Sequence, residues 1–240
     1  MPEVIFNGPE GRLEGRYHHN GGKGAPAALV LHPHPKHGGT MNNKVTYNLY
    51  QAFCAHGFST LRFNFRGVGR SQGVFDGGIG ELSDAATALD WLQTQNPDAA
   101  SFWISGFSFG GWLAMQLLMR RPELEGFIVV SPPANMYDFN FLAPCPRSGL
   151  IIQGDQDSIV EEPSVSQLVN KLDSQRNISI DYRVVRGADH FFRSSMDELT
   201  GHMTDYLADN IAEIRKRGQL RPDKKRRQMV KSPAADSSAP

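Results

Sequence analysis

Residues 101–120 read Ser-Phe-Trp-Ile-Ser-Gly-Phe-Ser-Phe-Gly-Gly-Trp-Leu-Ala-Met-Gln-Leu-Leu-Met-Arg, and the break in this stretch decides the fold. Its first five residues form a short apolar run with the character of a buried strand. From residue 109 the composition changes to strong helix formers that continue to 121. Between them lies Gly106-Phe107-Ser108-Phe109-Gly110, a GxSxG pattern at a strand-to-helix junction. Such a junction needs glycines on either side because chain segments cross there closely, and it leaves the serine hydroxyl exposed at the turn. The pattern also occurs at Gly69-Arg70-Ser71-Gln72-Gly73, but Arg66-Gly67-Val68 precedes that copy and Val-Phe-Asp-Gly-Gly follows it. With neither a strand before it nor a helix after it, Ser71 is set aside, and Ser108 is the expected nucleophile.

Further short apolar runs occur at 26–31, 59–64, 126–131, 149–153 and 178–185, with helical patterns at 44–56, 81–95, 109–121, 163–174 and 195–214. In the last helix Met196, Leu199, Met203, Leu207, Ile211 and Ile214 step by three or four and form one apolar stripe. This alternation predicts a doubly wound, mostly parallel α/β sheet. Residues 3–6 and 12–17, separated by a turn around Gly8-Pro9-Glu10-Gly11, predict an antiparallel hairpin at the sheet edge.

The 240 residues carry 25 basic and 25 acidic side chains, a net charge of zero that hides an asymmetry. Residues 215–240 hold nine Lys or Arg against Asp223 and Asp236, leaving the tail at +7 and residues 1–214 at −7. We therefore expect one domain over 1–214 and a basic, disordered tail over 215–240. The basic run at 224–227 is of the kind that touches nucleic acid or anionic lipid, although a solvated charge run is the expected reading. Cys54 and Cys145 are far apart and lack disulfide or zinc spacing, which suits a reducing, cytoplasmic setting. No apolar run approaches the roughly 20 residues of a membrane span.

A serine hydroxyl needs an adjacent base, and that base an orienting acid. In a strand–turn–helix site of this kind the chain order is Ser, acid, His. His190 and His202 both follow Ser108, but His202 falls within the final helical stripe, so His190 is the expected base. Gly154-Asp155-Gln156-Asp157 offers two acids that spacing does not separate, with Asp189 a third option on the histidine's own loop. For the oxyanion, the amide of Phe109 is one expected donor and an amide of the loop Leu31-His32-Pro33-His34-Pro35-Lys36-His37 is the other. Prolines carry no N–H, which leaves His34 or Lys36, with His34 preferred. Three histidines in six residues also raise the question of a metal, but no cysteine or carboxylate joins them, so neither a metal nor a cofactor is expected.

His-Pro-His-Pro followed by Gly-Gly-Thr-Met-Asn-Asn-Lys, then Leu-Arg-Phe-Asn-Phe-Arg-Gly-Val-Gly-Arg-Ser, Gly-Phe-Ser-Phe-Gly, Gly-Asp-Gln-Asp and Gly-Ala-Asp-His-Phe-Phe resemble a bacterial α/β-hydrolase family. That family is distantly similar to dienelactone hydrolases and prolyl-oligopeptidase-like serine peptidases, and the resemblance spans roughly residues 1–212. It implies an α/β-hydrolase fold, Asp157 as the acid of a Ser108–His190–Asp157 triad, and a structural role for Arg66 and Ser71. The 17 residues between the runs at 126–131 and 149–153 are too few for a helical lid, so an open site is expected. Tyr137, Phe139, Phe141 and Leu142 of that segment are either pocket lining or packing over the sheet edge. The expected activity is hydrolysis of a small carboxylic ester or thioester. An aminopeptidase or acylaminoacyl peptidase, and a non-catalytic binding module on the same fold, are the alternatives.

Overall fold

A computed structural model describes residues 2–220 of the chain, with side chains through residue 211. Eight strands form one sheet in the order β1-β2-β4-β3-β5-β6-β7-β8. The expected edge hairpin consists of β1 (Glu3–Gly8) and β2 (Gly11–His18), antiparallel with Phe6 opposite Leu13. β2 also runs antiparallel to β4 (Ser59–Phe63). The remaining pairings, among β3 (Ala27–Leu31), β4, β5 (Phe102–Phe107), β6 (Leu124–Val130), β7 (Gly149–Gly154) and β8 (Ile180–Val185), are all parallel.

The apolar runs are continuous because both faces of the sheet are covered, and the two-residue period of a strand divides their side chains between two cores. Ala27, Leu29 and Leu31 face a core completed by α2 (Ile79–Gln95), α3 (Phe109–Arg120) and α4 (Glu162–Asp173). Ala28 and Val30 face the other, completed by α1 (Lys44–Ala55) and α5 (Met196–Leu220). The stripe expected on α5 is there: Leu199, Met203 and Leu207 are fully buried, flanked by partly buried Met196 and Ile211. The side chain of Ile214 lies outside the described residues. α5 runs six residues past the boundary expected at 214, and the rest of the basic tail, 221–240, also lies outside the described residues. Among the described residues no helix is long and apolar enough to cross a membrane.

After β3 the chain crosses to β4 on one side, then returns to place β5 on the other. The winding direction therefore reverses between β3 and β5, which opens a crevice beyond their carboxyl ends. Loops from β3, β4, β5, β6, β7 and β8 meet there. The β4 loop is anchored by Arg66, whose guanidinium forms two hydrogen bonds with the Asp84 carboxylate (3.0 and 2.8 Å) while its amide donates to the same group. Both side chains are buried, so the pair is tightly desolvated and holds the loop to α2. Among the described residues no lid covers the crevice: between β6 and β7 the only regular structure is a single 3-10 turn, Asn140–Leu142.

Candidate active site

Ser108 sits between β5 and α3 with φ 54 and ψ −122, a conformation L residues adopt at a cost of about 1–3 kcal/mol. The strain is locked in by contacts on both sides. A Cβ on Gly106 would lie 2.2 Å from the carbonyl oxygen of Gly110, and one on Gly110 would lie 2.5 Å from the carbonyls of Leu31 and His32. The Ser108 amide donates to the Val130 carbonyl at 2.9 Å, tying the turn to β6. The turn therefore presents the hydroxyl at the crevice and aims the amide-rich, electropositive start of α3 at the same space.

His190, on the loop after β8, brings its Nε2 to 3.1 Å from the Ser108 Oγ. Its Nδ1 is 2.6 Å from Asp157 Oδ2, and both side chains are buried. The ring packs against Phe107 and Phe191, with centroids at 4.9 and 5.2 Å. A carboxylate at Nδ1 makes that nitrogen the donor, which leaves Nε2 as an acceptor facing the hydroxyl. The Asp157 Oδ1 accepts the amides of Ile159 and Val160, each at 2.8 Å. Gln153 Nε2 donates to the same Oδ2 that faces His190, at 3.1 Å. Burial pushes the Asp157 carboxyl up, but the bond and charge of His190 and the two loop amides outweigh it and hold the group below the usual carboxylate range.

The other candidates are turned elsewhere. Asp155 accepts the Gly187 amide, and Asp189 pairs with Arg193. His202 lies along α5, 3.8 Å from Glu198. The buried Ser71 hydroxyl accepts from the Glu14 amide and donates to the Asn64 carbonyl, with no imidazole beside it.

The loop after β3 spends its amides on itself. Lys36 N donates to His34 Nδ1 at 3.1 Å, His37 N and Gly39 N donate to the His34 carbonyl, and Gly38 N donates to the Pro35 carbonyl. Within residues 33–39, where 33 and 35 are proline, the His34 amide is the one left without an acceptor among the described residues. Its ring lies 4.8 Å from that of Phe109, whose own amide is at the unbonded start of α3. Burial, reinforced by the charges of His37 and Lys36, lowers the His34 pKa, which keeps Nδ1 an acceptor. His32 is fully buried: Nδ1 faces the Pro33 carbonyl at 2.6 Å and Nε2 accepts the Phe65 amide at 3.1 Å. Among the described residues no group of three or more His, Cys, Asp or Glu side chains is disposed to hold a metal.

Of the four residues considered as pocket lining, Tyr137 is half-buried beside Trp112 with ring centroids 4.3 Å apart. Phe139 and Leu142 are buried in the core, and Phe141 stacks on Phe139, because the 3-10 turn folds them back over the sheet. Sequence reasoning missed Gln153, although a polar residue inside the apolar run Gly-Leu-Ile-Ile-Gln-Gly was a signal for it. It also missed Phe75 and Trp112 as neighbours of the site.

Comparison with known proteins places the chain in a family. A family model described as X-Pro dipeptidyl-peptidase (S15 family) matches residues 19–232. An uncharacterized protein of Rickettsia prowazekii is 53% identical over 232 residues, which cover 95% of this chain and 98% of the relative. Among solved structures, a putative α/β hydrolase from Agrobacterium tumefaciens superposes with a TM-score of 0.85 at 58% identity, covering 92% of this chain and all of the other. An α/β serine hydrolase without a lid from Xanthomonas campestris gives 0.78 at 31% identity, covering 87% and 94%.

Proposed function

Because the chain belongs to the X-Pro dipeptidyl-peptidase (S15) family of α/β serine hydrolases, we propose that it hydrolyses a small carboxylic ester or thioester through an acyl-enzyme on Ser108. The observation that carries this reading is the hydrogen-bonded succession Ser108 Oγ, His190 Nε2, His190 Nδ1, Asp157 Oδ2, at 3.1 and 2.6 Å, on a serine held in a strained turn. Oγ attacks the carbonyl carbon as its proton passes to Nε2, and Asp157 stabilises the imidazolium through Nδ1–H. The tetrahedral oxyanion is held by the amides of Phe109 and His34. Its collapse expels the alcohol or thiol, which takes the proton from Nε2. Water, deprotonated by the same imidazole, then attacks the acyl carbon and releases the acid and Ser108.

The family description favours a second reading, cleavage of peptide-like amides. Such an enzyme needs an anionic group to recognise a free amino terminus, and three acids of the surrounding loops are held by other groups: Asp155 accepts the Gly187 amide, Asp189 pairs with Arg193, and Glu162 accepts from Tyr182. Lys36 is the charged group that reaches the aromatic rim of the site, which does not suit an amine. Matched panels of 4-nitrophenyl esters, thioesters and aminoacyl-prolyl anilides separate the two. A fluorophosphonate should label Ser108 and no other serine, and Ser108→Ala should lower ester turnover by at least about a thousandfold. Undiminished turnover in that variant refutes the reading, and failure of the probe to label the parent points to a non-catalytic module.

A further inference from the structure

One side of the crevice is built almost entirely of aromatic rings. Phe109, the residue after Ser108, is buried, and its ring is ringed by those of His34 at 4.8 Å, Trp112 at 5.7 Å, Tyr137 at 6.0 Å and Phe75 at 6.1 Å. These four are half-buried and drawn from four different segments: the β3 loop, the β4 loop, α3 and the β6 loop. Their positions are fixed. Trp112 Nε1 donates to the Asp138 carbonyl at 3.2 Å, and the β4 loop approaches so closely that a Cβ on Gly78 would lie 2.6 Å from the indole. At the margin Val74, Ile79 and Met136 are 78, 77 and 54% exposed, so apolar surface continues outward from the rings. Apolar surface of this kind, continuous with a site, marks a place for a ligand.

Which part of a substrate belongs there follows from the direction of proton transfer. The leaving atom must face His190 Nε2 to be protonated, and His190 touches Phe107 and Phe191, neither of which contacts the four half-buried rings. The wall is instead attached to Phe109 and His34, the two residues whose amides receive the oxyanion in the proposed reaction. It therefore lies against the acyl side of the carbonyl.

Resting on the esterase reading above, the geometry points to this wall as the acyl-binding site of the enzyme, with a flat aromatic acyl group as its preferred occupant. Flat rings offer their faces to a planar guest in offset or edge-to-face contact, which a flexible aliphatic chain exploits less fully. Trp112 and Tyr137 lie against each other, centroids 4.3 Å apart and planes 30° apart, so each ring fixes the orientation of the other.

The test holds the leaving group constant. 4-Nitrophenyl acetate, octanoate and benzoate are compared as kcat/KM divided by the rate of alkaline hydrolysis of each ester, for the parent, Trp112→Leu and Tyr137→Ala. The parent should favour benzoate over both aliphatic esters, and each variant should lower the benzoate-to-acetate ratio by about tenfold, mainly through KM. Tyr137 is on a loop, so its variant preserves the test if replacement of Trp112 disturbs α3. A parent that prefers octanoate, or variants in which the ratio does not move, overturns the inference while leaving Ser108 labelling by fluorophosphonate, and with it the esterase reading, intact. A parent that neither turns over any ester nor takes the label overturns both.

Discussion

Replacing His32 by glutamine should make the stability of the protein less sensitive to acid, because His32 is a histidine the fold keeps from ionising. Burial drives its pKa from 6.5 down to about 3, with the Pro33 carbonyl bond opposing the shift only in part. The sign follows from linkage. Between those two values the unfolded chain takes up a proton that the native state refuses, so stability falls as pH falls from 6.5 toward 3, and above 6.5 this group contributes no slope. Each unit is worth about 1.4 kcal/mol, so acidification from pH 8 to 4.5, two units below 6.5, removes about 3 kcal/mol through this residue alone. The glutamine variant loses the imidazole contacts to Pro33 and Phe65 and should be about 2 kcal/mol less stable at pH 8. At pH 4.5 the deficit should vanish or reverse. Urea unfolding of both proteins at pH 8, 6.5, 5.5 and 4.5 reads the difference directly, and the titrations of the other histidines cancel between them. Asp157, with its pKa depressed, loses its own contribution only at lower pH, as pH falls through its folded value. Parallel stability curves across the whole range would refute the assignment of His32 as a neutral structural group.

Two further predictions concern the site itself. Gly110→Ala puts a methyl 2.5 Å from two backbone carbonyls that no rotamer relieves, so we expect about 1–3 kcal/mol of destabilisation by thermal unfolding and roughly a hundredfold loss of kcat as the turn is displaced. Gln153→Leu removes one of the donors to the Asp157 carboxylate and lets its pKa rise; the acid limb of the kcat profile should move to higher pH and kcat fall about tenfold with KM nearly unchanged.

Much of this architecture was legible in the chain because its signals are local. The strand run at 101–105 passes into the helix former at 109–121 within a few residues, and the glycines between them are required by close contacts, Gly106 against Gly110 of the same turn and Gly110 against the end of β3. The choice between Asp155 and Asp157 was of another kind. Both sit in one turn two residues apart, and only the placement of β8 turns one toward the Gly187 amide and the other toward His190. The aromatic wall was equally hidden, since its rings come from four segments and no spacing within any of them announces the meeting. The end of α5 escaped for a different reason: apolar periodicity stops at 214, but residues such as Arg215, Lys216 and Arg217 are good helix formers without an apolar face, so the helix continues to Leu220.

The loop after β3 permits an unusually clean test of the proposed oxyanion site. Two prolines remove their own N–H groups, and the His34 imidazole and carbonyl, with the Pro35 carbonyl, consume the amides of residues 36–39, so one unspent donor remains, on His34. Its φ of −56 is within the range of a proline ring, and its ψ of 122 is already the extended conformation required of a residue that precedes Pro35. His34→Pro therefore deletes the amide with little demand on the backbone. His34→Ala keeps the amide and loses the same ring, which makes it the proper reference. The proline variant should turn over esters about 10²–10³ times more slowly than the alanine variant at saturating substrate, with a smaller difference in KM, since a donor aimed at the oxyanion acts in the transition state. Equal kcat values in the two variants would assign the second donor to another group and leave the imidazole as the reason this residue is a histidine.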